Sequence, residues 1–364
     1  MSEHRSHRLF FLIFGCFAAL LSPLTLAAST SIPVSIFDPV TQCRSVSAQT
    51  CRIAQELGRG INLGNMLDAP REGDWGVRLD PAYIDKVATV FKTVRIPVRW
   101  TNHAAPTADA TLDETFAKRV DSAVDAALAK GMYVILDVHH YDQLTGDALM
   151  PNEFPVADDV VETRLINIWK QLALRYQNRS SHLIFELFNE PHGKLEKNDT
   201  WNPLLAQLLP VVRTSNPTRV VMVGGVGYNS VAGLAKLQLP PDRNLIITFH
   251  NYDPFNFTHQ GVSYMPIFPA GVTCCDATQR KQIDDAFAAA VQWSKANGYP
   301  IHLGEFGSHM KADMASREAY TRIVRDDAEH YGIGWTYWEF ASTFGVFDPK
   351  AGMWIEPIRR ALLD

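Results

Sequence analysis

Two glutamates in this sequence stand where a carboxylate has a use. Glu190 lies in the run FELFNEPHG and Glu305 in LGEFG, each at the end of an apolar, strand-like stretch. Charge in such a segment is costly unless it is paired or used. Polar and aromatic residues mark the ends of the neighbouring stretches in the same way: Asn62 and Asn65, Arg95, His139 and His140, Asn189, His250 and Tyr252, and Trp338. Two opposed carboxyls among such neighbours suit hydrolysis of a glycosidic bond. One acid protonates the leaving oxygen while the other attacks the anomeric carbon or activates water. Their separation decides the route, about 5–5.5 Å for retention and about 6.5–9.5 Å for inversion.

The elements that must position these groups follow from hydropathy. Strand-like runs cover Gly58 to Gly64, Thr93 to Val98, Met132 to Val138, His182 to Phe188, Arg219 to Gly224, Asn244 to Phe249, Pro300 to Glu305 and Ile333 to Trp338. Most are continuous apolar stretches, as strands of a parallel sheet covered on both faces should be. Helical stretches fill the gaps: Pro81 to Phe91, Asp113 to Lys130, Val161 to Gln177, Trp201 to Thr214, Asn229 to Leu237, Ala277 to Asn297, Ala315 to Tyr331 and Trp354 to Leu363. In the second of these Phe116, Val120, Val124 and Leu128 recur at helical spacing. Eight such strand–helix units predict a (β/α)8 TIM barrel of a single α/β domain over residues 58–364. An open doubly wound sheet is the runner-up. Function in a barrel sits at the carboxyl ends of the strands, where the residues named above fall. Residues 28–57 are expected to form an N-terminal extension across the barrel bottom.

With those residues in order, the chain resembles glycoside hydrolase family 5, the cellulase family. The resemblance rests on VRIPVRW with Arg95, LDVHHY with His139, FELFNEPHG with Asn189 and Glu190, TFHNYDP with His250 and Tyr252, LGEFG with Glu305 and WTYWEF with Trp338. It runs from about Gly58 to the C terminus. The resemblance implies a retaining double displacement with Glu190 as acid/base, Glu305 as nucleophile and no cofactor or metal. It also implies sugar contacts from Asn189 at the 2-hydroxyl, His139 and His250, a stacking floor at Trp338, and a contact from Asn65, which a turn explains almost equally well. The family pattern does not match His140, which is read as lining the substrate cleft ahead of a structural role. Arg95 and Tyr252 are expected to favour the anion of Glu305. Among the other aromatics, Trp75, Trp201, Tyr228 and Phe344 are candidates for outer sugar subsites or for packing; Trp169 and Trp293 read as core. The implied partner is a β-glucan polysaccharide or oligosaccharide, endo-β-1,4-glucan ahead of β-1,3-glucan or mannan.

Composition narrows the field further. The 364 residues are 46% hydrophobic, 20% charged and 10% aromatic with a net charge of −5, which excludes a disordered chain and disfavours a nucleic-acid partner. Residues 1–27 carry Arg5 and Arg8, an apolar run from Leu9 to Leu21 and small residues near Ala27, the pattern of a cleaved secretory signal peptide. A secreted or periplasmic monomer, free of the membrane after cleavage, is the expectation; an uncleaved anchor over Leu9 to Ala28, just long enough to span a bilayer, is the alternative. Cys43, Cys51, Cys274 and Cys275 remain, an even number that predicts disulfides; Cys43–Cys51 is the easy local bridge among three connectivities. No cysteine spacing resembles a zinc site, and the glycine-rich Val223 to Gly227 lacks the Lys-Ser/Thr of a phosphate loop. Two rivals stand beside the glycosidase. A metal-dependent hydrolase on the same barrel would use His139, His140 and His250, yet strand 1 lacks the HxH pair such enzymes place there. A non-catalytic glycan-binding barrel would have no need of both glutamates.

Overall fold

The computed structural model describes residues 36–364. The signal-peptide reading of residues 1–27 and the start of the 28–57 extension lie outside the described residues. Eight parallel strands pair in chain order and close into a barrel. They are β1 Arg59–Asn62, β2 Thr93–Ile96, β3 Tyr133–Asp137, β4 Leu183–Glu186, β5 Val221–Gly224, β6 Leu245–His250, β7 Ile301–Glu305 and β8 Gly334–Tyr337. Most are shorter than the apolar runs that predict them. The residues left over, such as Val138 and Trp338, begin the loops at the carboxyl ends.

Seven of the expected helices form around the barrel: Pro81–Ala88, Glu114–Ala129, Val161–Tyr176, Trp201–Ser215, Ala277–Asn297, Met314–His330 and Glu356–Leu363. Several start on aspartate caps. Asp113 accepts from Thr115 and Phe116, Asp313 accepts from Ser316, and Asp276 forms a reciprocal capping box with Gln279. Such caps contribute about 1 kcal/mol each. The eighth expected helix, Asn229 to Leu237, does not form. Its place is taken by two single turns, Val226–Asn229 and Val231–Leu234. Gly227, Tyr228 and Asn229 all take positive φ there, which a right-handed helix cannot include.

Strand side chains alternate between two environments. One set, including Val94, Ile96, Val134, Leu136, Phe185, Ile247 and Leu303, joins the helices in the large outer core. The other set faces the barrel axis. At the amino-terminal end, Tyr133, Ile135, Ile184, Met222 and Ile246 form an apolar cluster with Ile53, Ala54 and Leu57. Ile53 and Ala54 belong to the helix Ala48–Glu56, which is capped by Ser47. Cys51, within that helix, is disulfide-bonded to Cys43 ahead of it, and Cys274 is bonded to Cys275. No helix among the described residues is long and apolar enough to cross a membrane.

Candidate functional site

Two residues on from the apolar cluster, β3, β4 and β6 present polar axial side chains, and β1, β2 and β7 add theirs at the same end. Asn62, Arg95, Asp137, Glu186, Thr248 and Glu305 are all nearly or completely buried. Arg95 is the centre of this tier. Its Nε and Nη2 donate to both oxygens of Glu186 at 2.7 and 3.0 Å, and Nη2 also lies 3.0 Å from Asp137 Oδ2. Nη1 donates to Glu305 Oε1 at 2.7 Å and to Asn62 Oδ1 at 2.9 Å. Nη2 further donates to Asn189 Oδ1 at 2.7 Å, which leaves the amide nitrogen of Asn189 as the free, donating end. One guanidinium thus holds three carboxylates and two amides in fixed orientation.

Glu305 ends β7, and Glu190 follows β4. A register shift between Phe249 and His250 places His250 opposite Glu305. His250 Nδ1 lies 2.7 Å from Glu190 Oε1 and 3.7 Å from Glu305 Oε2. One oxygen of Glu190, one of Glu305 and a His250 nitrogen all fall within 4.8 Å of one another. The Tyr252 hydroxyl donates to Glu305 Oε2 at 2.9 Å. Glu190 keeps 24% of its side chain exposed, against 6% for Glu305, so Glu190 is the more open of the pair.

Burial dominates the titration of this site. It pushes Glu190 up to about 7, against the pull of His192 and Arg95. It pushes Glu305 to about 7 as well, although His250, Arg95 and the Tyr252 hydroxyl favour its anion. The expectation that Arg95 and Tyr252 would keep Glu305 readily ionised is therefore met only in direction, because Arg95 is shared with Glu186 and Asp137 and its charge is divided. Between the two carboxyls, Glu305 ionises first, having the guanidinium and the phenol as direct partners. Its charge then holds the proton on Glu190. Burial lowers His250 to about 4, so it is a neutral ring, and His250 Nε2 has no partner. That favours the tautomer in which Nδ1–H donates to Glu190.

His139 is fixed by Asp137, whose Oδ2 accepts from Nδ1 at 2.7 Å. Its ring lies parallel to Trp338 at 5.5 Å. Gly64 makes room for that indole, since a Cβ at this position would come within 2.5 Å of it. His140 is half-buried, perpendicular to His139 and edge-on to Trp75 at 5.8 Å. Asn65 takes a left-handed turn conformation with φ 63°. Its backbone N–H donates to Asp68 Oδ2 at 3.0 Å, which fits the turn reading.

All ten sequence-predicted site residues, Asn65, Arg95, His139, His140, Asn189, Glu190, His250, Tyr252, Glu305 and Trp338, lie on strand ends or loops at the carboxyl-terminal face. Two outer-subsite candidates do not serve. Trp201 is buried with Nε1 donating to Gly224 O, and Phe344 is buried against Tyr252, His259 and His309. Tyr228 is 57% exposed and stacks on His192 at 4.0 Å. Trp169 is core, and Trp293 packs half-buried against it. Sequence reasoning missed Glu186, Asp68 and the roles of Asp137 and Glu339. The signal for Glu186 was its period-2 relation to Ile184 on one strand face. Glu339 is fully buried and pushed up to about 8 by that burial. Asp68, also fully buried, rises to about 7 for the same reason.

Residues 58–343 match the cellulase family, glycosyl hydrolase family 5. Endoglucanase H of Acetivibrio thermocellus is 35% identical over 299 residues, which cover 81% of this chain and 31% of that protein. The chain thus spans about a third of that relative's length. Among solved structures, a hyperthermophilic endo-β-1,4-glucanase in complex with substrate superposes with a TM-score of 0.80 at 37% identity, covering 86% of this chain and 98% of that one. Thermotoga maritima Cel5A in complex with mannotriose does so with a TM-score of 0.80 at 36% identity, covering 85% and 99%.

Proposed function

Because the chain belongs to glycosyl hydrolase family 5, the cellulase family, we propose that it hydrolyses β-1,4-glucan by a retaining double displacement at Glu190 and Glu305. The observation that carries this reading is the close approach of the two carboxyls, within 4.8 Å at their near oxygens. Near oxygens this close favour the shorter, retaining separation of about 5–5.5 Å over the wider inverting one.

In the first step the Glu305 carboxylate attacks the anomeric carbon, and the glycosidic C–O bond breaks. The leaving oxygen takes the proton from Glu190. His250 occupies Glu190 Oε1, so the acidic proton resides on Oε2. In the second step Glu190, now a base, removes a proton from water. The hydroxide attacks the same carbon, and the Glu305 ester bond breaks. The free amide nitrogen of Asn189 donates to the sugar 2-hydroxyl, a contact that strengthens at the oxocarbenium-like transition state. Trp338 and the imidazoles of His139 and His140 line the glycone side. We take the protein to be an exported monomer acting on soluble or amorphous glucan. Disulfides at Cys43–Cys51 and Cys274–Cys275 suit an oxidising compartment.

Mannan is a second substrate reading, favoured by the mannotriose complex of the Thermotoga relative. The test is reducing-sugar release from carboxymethyl-cellulose, mixed-linkage glucan, laminarin and mannan, with Glu305→Ala beside the unaltered chain. Release from the first two, absent in Glu305→Ala and insensitive to chelator, is the expected result. Release from laminarin or mannan alone would overturn the β-1,4-glucan reading. Loss of activity to chelator would revive the metal-dependent rival.

A further inference from the structure

Beside the catalytic pair lies a second convergence of ligating side chains that the double displacement does not use as such. A carboxylate oxygen of Asp68 and one ring nitrogen each from His139 and His140 fall within 4.8 Å of one another. We propose that these three residues bind a divalent ion of the zinc type, and that the ion and the sugar exclude each other.

The donor set selects the ion class. Two imidazoles and one carboxylate suit Zn2+ or Cu2+ rather than Mg2+ or Ca2+, which take oxygen ligands. Three protein ligands with the fourth position open to the cleft is an arrangement that zinc accepts. Bonds of about 2.1 Å bring tetrahedral donors to about 3.4 Å from one another, so donors that start within 4.8 Å need to close by about 1.4 Å at most.

The surroundings are already arranged for it. Asp137 holds His139 Nδ1 at 2.7 Å, which leaves Nε2 as the ligating atom and supplies the carboxylate–histidine support that metal-bound imidazoles use. The Asp68 carboxylate is oriented by two backbone amides, with Asn65 N donating to Oδ2 at 3.0 Å and Met66 N to Oδ1 at 2.8 Å. Each oxygen keeps a lone pair. The nearby cation, Arg99, donates to the Asp68 carbonyl at 2.8 Å, but its guanidinium is paired with Asp142 and Glu153. Half-buried His140 provides the entry path. Mutual exclusion with sugar rests on the reading of the cleft given above; ion binding itself does not.

The test is calorimetric titration of ZnCl2 into the metal-free full chain at neutral pH. One ion per chain is expected. Asp68→Asn and His140→Ala should each weaken it about tenfold or more, with Glu190→Gln binding as the unaltered chain does. Absence of binding would overturn the proposal. So would binding that survives both substitutions but is lost in Glu190→Gln, which would place the ion on the catalytic carboxyls instead. Should Asp68→Asn or His140→Ala fail to fold, Co2+ gives the decision: a visible d–d band of four-coordinate intensity that persists in Glu190→Gln supports the site, and an octahedral band, or one lost in Glu190→Gln, contradicts it. In turnover, Zn2+ should raise KM for glucan without changing kcat and be reversed by chelator. A fall in kcat at constant KM would refute mutual exclusion. Calorimetry needs no turnover, so an inactive protein would sink the glycosidase reading while leaving the ion site decided on its own.

Discussion

The inside of this barrel has two tiers that the same strands build in opposite ways. At the amino-terminal end Tyr133, Ile135, Ile184, Met222 and Ile246 meet Ile53 and Leu57 in a buried apolar plug. Two residues further along, β3 and β4 present Asp137 and Glu186, and Arg95 joins both to Glu305. The lower tier stabilises by removing apolar area from water. The upper tier does the reverse: it buries several carboxyls around one guanidinium, an arrangement that rarely adds net stability. The difference teaches that stability and chemistry are separated by one step of the strand repeat. It also makes the upper tier dependent on Arg95 as a single shared partner.

Arg95→Met puts the largest strain on that comparison. It leaves buried carboxylates without a cation, and removal of one buried partner costs about 3–5 kcal/mol. Denaturant unfolding should register that loss, and activity should vanish with it; a variant as stable as the unaltered chain would break the account of the upper tier. Glu190→Ala comes next, with kcat on natural glucan expected to fall by about 10²–10⁴. Glycosylation by a substrate with a very good leaving group should survive, because that group needs no proton. Equal loss on both substrates would remove Glu190 from the acid/base role.

Ile135→Ala tests the lower tier. Deleting this buried side chain should cost about 2–5 kcal/mol, with kcat per folded molecule close to that of the unaltered chain. A fall in kcat at full folding would mean that the tiers are coupled. The smallest effect is in pH dependence. Activity should decline above pH of about 7 as Glu190 loses its proton, and on the acid side as Glu305 gains one. Stability carries its own sign. Glu339 is raised from 4.5 to about 8, so the folded state retains a proton that the unfolded state releases. Its contribution is present below pH 4.5 and is lost as pH rises to about 8. Glu339→Gln should flatten that slope in melting temperature measured against pH; an unchanged slope would place the titration elsewhere.

The division between tiers also explains what the sequence could reveal. Apolar runs announced all eight strands, and the polar residues at their ends announced Glu190, Glu305, Arg95 and Trp338. Glu186 escaped because it lies inside FELFNE, where only the alternation from Ile184 distinguishes an axial carboxylate from a stray charge. Glu339 is visible as a polar residue at the end of strand 8, but its complete burial is not, and Asp68 escaped because the imidazoles that converge on it, His139 and His140, lie far along the chain. The missing helix after β5 has a local cause. The expected helix starts at Asn229, yet Asn229 sits at positive φ, as do Gly227 and Tyr228 before it. Trp201 looked like a possible sugar platform because a large aromatic after β4 has the right address; its hydrogen bond to Gly224 O shows it turned inward.

The central claim is that Glu305 forms a covalent bond to the sugar while Glu190 manages the proton. The most direct measurement is the intact mass of the protein after incubation with a 2-deoxy-2-fluoro-cellobioside bearing a very good leaving group, followed by peptide mapping. One added fluoroglycosyl group, located on Glu305, is the predicted result. An adduct on another residue, or no adduct from a substrate whose aglycone is released with inversion at the anomeric carbon, would contradict it.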